Sequence, residues 1–585
     1  MGLLTSALQI GRSALFSYQS ALTVVGNNIS NAGDPDYTRQ TPVLTPIPGV
    51  PIQEGFRPGA GVQLSALQRH IDESLEERIR VALGDQNSAL EQSEVLSRIE
   101  SVLNELSETD LSTLLTSFFN TFSTLQTTPQ DETARGAVLA TAQTLVTEIR
   151  RQRDDLLNIT EQINDEIENI TDRANQIVDD IATLNVDIVR AESGKNGGAS
   201  GLRDQRDALL RELSTIVEIR TRLQPEGSVN VFIGNEPVVQ GGISRGLTTT
   251  RDVGADIERV TVRFADDNGA IAINGGRYEG LVGSRDTFVV NQLNTLDNLA
   301  RALIRDVNQV HSDGQGVGSF TDVTSTYSVI DPNLALNTIN NGLEFLPRNG
   351  SFFITIKNET SGLTKSVQVD VDLDGITPPA DTSLNGLVGN INAALTAAYG
   401  GASPVTASVT GDNRLNLKAD PTFSFTFGHD GDEFREDSSN ALAALGINTF
   451  FVGTDAQSVG VNAFLDGRPD LISAAQVNEV GDGGNAGRLS SLLNAASKEL
   501  NGISILAFYN SKVSNVAVKS AAARNAVEAA DVVVVSLRAE REAISGVSLD
   551  EEAINLLKFQ RAFQGAAQFI RVADEMIQTM LGLVR

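Results

Sequence analysis

NNISNAGDPDYTRQ, Asn27 to Gln40, follows a long apolar-striped segment, and its reading decides how the start of the chain folds. Asn and Asp tolerate left-handed backbone and bond to nearby backbone groups, so this run predicts that a first helix ends after Ala32. Pro35 lacks an N–H and blocks any continuation. Tyr37 adds an apolar ring with a polar tip, suited to docking on a neighbouring helix. No nucleophile, metal cluster or phosphate loop accompanies the stretch.

Upstream, Leu8, Leu15, Leu22 and Ile29 recur every seven residues, with Tyr18 and Val25 in the complementary position and Gly11 interrupting it. This spacing predicts a helix with one narrow apolar seam. The C-terminus repeats the rhythm. Leu549, Leu556, Phe563, Ile570 and Ile577 form one series, and Phe559, Ala566, Ala573 and Met580 the other. Just before them, Val547-Ser548-Leu549 and Asp550-Glu551-Glu552 predict a helix start. Ser548 is the cap, Glu551 is placed as in a capping box, and the acids complement the helix dipole. Two further stripes, 149–188 and 506–544, predict bundle core. Matched seams at both ends of a chain predict pairing with each other and then with neighbouring subunits.

Composition narrows the function classes. The 585 residues are too many for one core and predict three or four domains. Cys is absent, which removes disulfides, thiolate metal sites and cysteine nucleophiles. The net charge of −29 repels nucleic acid and anionic membranes. Residues 1–50 hold two Arg and two Asp, while 549–585 hold four basic and five acidic residues. Nearly neutral ends suit packing against other chains, and an acidic middle suits water. No cleavable signal peptide and no membrane span are expected, because the start is amphipathic and the longest tidy apolar run is Val532–Val535.

The middle alternates in period. Helix is predicted over 85–125, and the long helix that carries the 149–188 stripe is broken by the glycine-rich 194–201 and resumed over 202–216. A hairpin around Glu226-Gly227, strands at 258–264 and 269–274, and a helix over 286–311 follow. A second β-rich stretch covers 312–475, with strands at 351–358, 365–373, 407–419 and 422–428, before helix returns near Asn485. The predicted class is α+β multidomain: N- and C-terminal helices in a shared helical bundle or coiled-coil stalk, with β-rich inserted domains. The expected boundaries are 1–60 with 545–585 for an axial core, and 61–216 with 476–544 for a helical stalk. Residues 217–311 form a first β-rich module ending in a helix, and 312–475 an outer β-rich domain.

Chemistry is sparse. Asp370, Asp372 and Asp374 before Gly375 resemble the start of a calcium loop, with Asp381 at the twelfth position. Alternating Val367, Val369, Val371 and Leu373 instead predict a strand with one wet face, and Pro378-Pro379 intrudes. His70, His311 and His429 are scattered, no nucleophile elbow is present, and the glycines near 234 and 481–484 lack the context of a phosphate cradle. No enzymatic activity and no cofactor are expected.

The ends carry a family resemblance. Asn28, Ile29, Ser30, Asn31, Ala32, Pro35 and Tyr37 resemble the N-terminal segment of flagellar axial proteins, the rod, hook and hook-associated proteins. Ser30 stands where Ala is usual and Asp36 where Gly is common. Tyr37-Thr38-Arg39-Gln40 narrows the likeness towards the hook-associated branch. From Ser545, SGVSLDEEAINLLKFQRAFQGAAQFIRVADEMIQTMLGL is similar to the signature of the hook-associated protein 1 family. Leu202–Asp207, 227–235 and 441–451 also fit that family.

The resemblance implies a structural adapter that polymerises at the distal end of the hook to form the hook-filament junction. It implies as partners further copies of itself, the hook protein and a second junction protein. An export chaperone on the C-terminal helix and the flagellar export apparatus complete the set. It further implies an extracellular location and mobile ends that fold on assembly. The implied interface residues are Leu8, Leu15, Leu22, Val25, Asn28, Ile29, Asn31, Pro35, Tyr37 and Arg39. At the other end they are Leu549, Leu556, Phe559, Phe563, Ile570, Ile577 and Met580, with the helix start at Ser548, Asp550 and Glu551. The alternatives are another axial protein such as the hook protein, or a secreted adhesin or hydrolase carried by the outer β domain.

Overall fold

A computed structural model describes residues 2–49, 59–103, 110–193, 198–254, 257–376, 380–479 and 481–583. Residues 194–197 of the glycine-rich break and Pro378-Pro379 lie outside them. The chain is α+β and multidomain: helices from both ends share a helical bundle, and β-rich segments are inserted between them. It divides into two compact units, Met1–Leu96 with Thr160–Asp286 and Ser520–Arg585, and Ser97–Ile159 with Thr287–Lys519.

Helices of the first unit come from all three of its segments. α1 is Gly2–Ser30, and α2 starts at Glu73 and runs to Leu103. α3 (Leu111–Thr127) belongs to the second unit, whereas the long α4 (Glu132–Glu192) brings its later turns into the first. α5 is Ser200–Ile216 and α6 is Gly276–Gly283. Between α1 and α2, β1 (Gln40–Pro46) and β2 (Val62–Arg69) form an antiparallel ribbon that packs on α1. Later, β3 (Ile219–Leu223), β4 (Val229–Ile233), β5 (Glu236–Gln240) and β6 (Ile243–Ser244) make a meander. A second ribbon pairs β7 (Leu247–Val253) with β8 (Glu258–Phe264).

The second unit is built on a phenylalanine cluster. Phe118 of α3 lies 5.0–5.7 Å, ring to ring, from Phe119, Phe122, Phe450 and Phe451, all of them buried. α7 (Val290–Ser312) packs against this region. Its β portion places β9 (Asp322–Thr324) beside the later hairpin and pairs β10 (Gly350–Asn358) with β11 (Thr364–Val371). α8 (Leu384–Tyr399) covers β11 and the next strand, β12 (Val405–Val409). β13 (Leu415–Ala419) pairs with β12, and β14 (Phe423–Phe427) pairs with β10. α9 (Ala441–Leu445) and α10 (Gly484–Ser491) follow. α11 (Ile505–Ser545) begins in this unit and ends in the first, followed there by α12 (Leu549–Leu583).

Several expectations need correction. Only Ala270, bridged to Arg263, pairs in the stretch expected to be a strand at 269–274. The helix expected from 286 starts ten residues earlier, as α6, and passes through a π-helical turn at Ser284–Val289. Within the stretch expected to be β-rich, α8 stands between the strands expected at 365–373 and 407–419. Its signal was present: Leu384, Leu387, Ile391 and Leu395 share one buried face, Ser383 caps the start and left-handed Gly400 ends it. The ribbon β1–β2 was not foreseen either, since prolines at 42 and 46 obscure its strand character.

One device recurs throughout. A helix asparagine presents its amide to a strand as though it were another strand residue, donating to a carbonyl and accepting an N–H. Asn28 does so with Gln40, at 2.8 and 3.2 Å. Along α4, Asn164 serves Glu258 and Val260, Asn175 serves Leu247, and Asn185 serves Val229 and Gly241. Asn308 clamps Phe451, and Asn392 clamps Ala407. The side-chain amide has the donor and acceptor pair of a peptide group, so it satisfies a strand edge that would otherwise be buried unpaired.

Candidate assembly interface

α1 and α12 pack against each other antiparallel, since Asn28 meets Glu552 while Gly11 meets Ile570. Their seam runs largely through small residues. Gly11, Ala21, Val24, Val25 and Asn28 are buried on α1, and Glu552, Ala566 and Ala573 on α12. A Cβ at Gly11 would stand 2.4 Å from Ile570 Cγ1, so the glycine that interrupts the heptad lies where the helices are in close contact.

The opening stretch behaves locally as its chemistry requires. Asn31 Nδ2 donates to the Asn27 carbonyl at 2.9 Å, and Asp34 Oδ1 accepts the Asp36 N–H at 2.9 Å. The turn so formed carries Tyr37 back onto the helix, where its hydroxyl donates to Asn28 Oδ1 at 2.8 Å. Burial first, then the charges of Asp204 and Glu552, push the Tyr37 hydroxyl up to about 12, so it remains a neutral donor.

Arg39 completes the site. Its Nε donates to Glu552 Oε1 at 2.9 Å, its Nη1 lies 2.7 Å from Glu551, and its backbone N–H donates to the Ser545 carbonyl. Glu552 also accepts from Asn28 Nδ2 at 3.1 Å, which leaves its buried carboxylate paired on both oxygens. Pro35 is exposed, and its carbonyl accepts from Arg541 of α11 at 2.6 Å. Arg541 and Arg211 together grip Glu76 of α2, at 2.6 and 2.9 Å. Arg69 lies between Asp204 and Asp207, 2.6 Å from each, which employs the acids of the Leu202–Asp207 motif.

The remaining residues named from sequence fall into two groups. Leu8, Leu15, Leu22, Ile29, Phe559, Phe563, Ile570 and Ile577 are half-buried beside the seam. Leu549, Leu556 and Met580 are exposed. Ser548 Oγ accepts the Glu551 N–H at 3.5 Å, a long cap, and the Glu551 carboxylate reaches Arg39. Glu552 was not singled out from sequence as a site residue. Its signal was positional, because it stands seven residues before Phe559 in an otherwise apolar series.

The candidates for other chemistry do not converge. His70 bonds Thr41, His311 is buried against Asn448 and Ser473, and His429 lies beside Thr426 and Gly431. Asp372, Asp374 and Asp381 hold ligand atoms within 4.8 Å of one another. Asp370 is not part of that group and accepts from Gln368 instead. No described helix is long and apolar enough to cross a membrane.

Comparison with known proteins adds the likenesses of the chain. Residues 96–321 match the flagellar hook-associated protein FlgK helical domain, and residues 541–583 match the flagellar basal body rod FlgEFG protein C-terminal family. Flagellar hook-associated protein 1 of Escherichia coli is 26% identical across 99% of this chain and 100% of its own length. The Salmonella typhimurium protein of that name is 27% identical with the same coverage, and the Bacillus subtilis one 22% identical over 98% of this chain and 97% of its own. The flagellar hook junction protein FlgK from Burkholderia pseudomallei superposes at a TM-score of 0.49, with 16% identity, over 80% of this chain and 100% of that one. With matches of one name running end to end along the sequence, the chain is similar over its whole length to hook-associated protein 1 of bacterial flagella.

Proposed function

We propose that this protein is the structural adapter at the distal end of the flagellar hook, polymerising there to form the hook-filament junction. The observation that supports it most directly is the antiparallel α1–α12 pair, which joins the two chain ends and leaves a second apolar face of α12 open. Val572, Met576 and Met580 recur on that face at helical spacing, each 45–57% exposed. Faces of this kind on soluble proteins mark partner contacts. In this reading 1–60 with 545–585 forms the axial core, 61–216 with 476–544 the stalk, and 217–311 and 312–475 the modules that face water.

The hook protein and a second junction protein flank the ring of copies. Before assembly, an export chaperone covers the open face of α12, and the chain passes the export apparatus unfolded to reach the outside without a cleaved signal. Its role is mechanical, with no reaction and no cofactor.

Amide exchange tests the reading on full-length protein and on a truncation lacking 1–45 and 545–585, each alone and on isolated hooks. Termini that exchange fast in the monomer and become protected only in full-length protein on hooks support it. Protected termini in the free chain together with no hook binding overturn it.

A further inference from the structure

The sulfur of this chain is concentrated in one place. The sequence has no Cys and three Met, and two of those three are Met576 and Met580 of α12. Met1 lies outside the described residues. Among the described residues no methionine is buried, and the core is filled by Leu, Ile, Val, Phe and Ala instead.

Four positions apart on one helix, Met576 and Met580 share a side with Val572. Met576 is 57% exposed and Met580 46%, so both thioethers stand within reach of solvent on the open face of α12. Leucine would supply similar apolar area there, so apolar contact alone does not call for sulfur. A thioether adds a polarisable, adaptable surface and an oxidisable lone pair.

We propose that Met576 and Met580 form an oxidation-sensitive site, through which a peroxide-class oxidant closes the open face of α12 to its partners. A sulfur lone pair attacks one oxygen of hydrogen peroxide. The S–O bond forms as the O–O bond breaks, and the second oxygen leaves as water after taking up the proton. Each thioether gives two electrons to the peroxide and becomes a sulfoxide.

The product is a polar acceptor in an apolar stripe. Along α12 the neighbouring side-chain donors are engaged, Gln578 with Asp574 at 2.9 Å and Thr579 with the Glu575 carbonyl at 2.8 Å. Water is therefore the main partner of the new oxygen, and docking removes that water at a cost in free energy. The site's role rests on the reading of this face as a partner contact, and concerns how that contact is regulated.

The test treats full-length protein with hydrogen peroxide, reads the oxidised positions by mass spectrometry and measures cosedimentation with isolated hooks. Sulfoxide at 576 and 580 with roughly tenfold weaker binding is expected. The double variant Met576→Leu, Met580→Leu keeps the apolar area and should bind equally before and after treatment. Loss of its binding on treatment would place the damage elsewhere, Met1 included, and overturn the proposal.

Sulfoxide at both positions with unchanged binding would also overturn it, while leaving the axial reading intact. So would thioethers left intact by peroxide that oxidises free methionine. Untreated protein that never binds hooks would remove the axial reading and the proposal together. As an independent arm without oxidant, Met576→Gln with Met580→Gln places polar groups on the same stripe and should weaken binding comparably. Full binding by that variant would overturn the proposal.

Discussion

Arg39 and Glu552 stand 513 positions apart in the chain, and the guanidinium Nε donates to the carboxylate at 2.9 Å. With Asn28 on its other oxygen, Glu552 ties the first loop to the first turn of the last helix. Glu552→Ala would leave the Arg39 guanidinium with Glu551 alone and strand one Asn28 donor. A loss of about 3 kcal/mol is expected, at the low end for breaking a buried pair because Arg39 keeps some access to water. A double-mutant cycle with Arg39→Ala in urea should return a coupling above about 1 kcal/mol; additive losses would show that the pair does not act as one.

Gly11 and Ile570 give a second test. Alanine at position 11 would favour helix by about 1 kcal/mol in isolation, yet its Cβ falls inside the Ile570 side chain. Overpacking of this kind typically outweighs that gain. Gly11→Ala should therefore reduce amide protection along α1, and Ile570→Ala should return it. Unchanged protection in Gly11→Ala would mean that the helices are not in close contact there.

The asparagine clamps differ in burial, and the sequence of losses should follow. Asn185 is buried and holds Val229 by both its N–H and its carbonyl, so Asn185→Ala leaves several buried polar groups unpaired. About 2–3 kcal/mol is expected. Asn175, which is only half-buried, should lose less. Equal urea midpoints for the two variants would remove the argument.

A pH effect is built into the second unit. Burial, with Asp437 and Glu436 adding to it and Arg488 opposing, pushes the Asp313 carboxyl up to about 7, and burial pushes Asp437 up to about 6. Folded values above the ordinary 3.8 mean that the contribution is fully present below 3.8 and is lost as pH rises through 6–7. His311 acts in the opposite sense. Burial holds it down at about 4, so its contribution is lost as pH falls from 6.5 through 4. Asp313→Asn keeps the bond from the Asp437 N–H but removes one titrating group. Its urea midpoint relative to the parent should rise between pH 5 and pH 8, and a constant difference would refute the assignment.

The sequence by itself determined where the terminal helices run and why the first one stops. Period, capping and the Asn-Asp-Pro chemistry of 27–36 are local properties, decided by residues within a few positions of one another. The heptads also revealed that α1 and α12 carry seams. What they could not reveal is which side of each seam faces inward. Gly11 and Ala573 lie buried while Leu549 and Leu556 stay exposed, because close antiparallel approach rewards small side chains and a seam of two heptad positions offers both choices. Nor could they show that Glu552, an acid among apolar neighbours, becomes stable there only because Arg39 and Asn28 arrive from the far end of the chain. A buried charge is tolerable only when its partner is in place, and only the tertiary structure decides that.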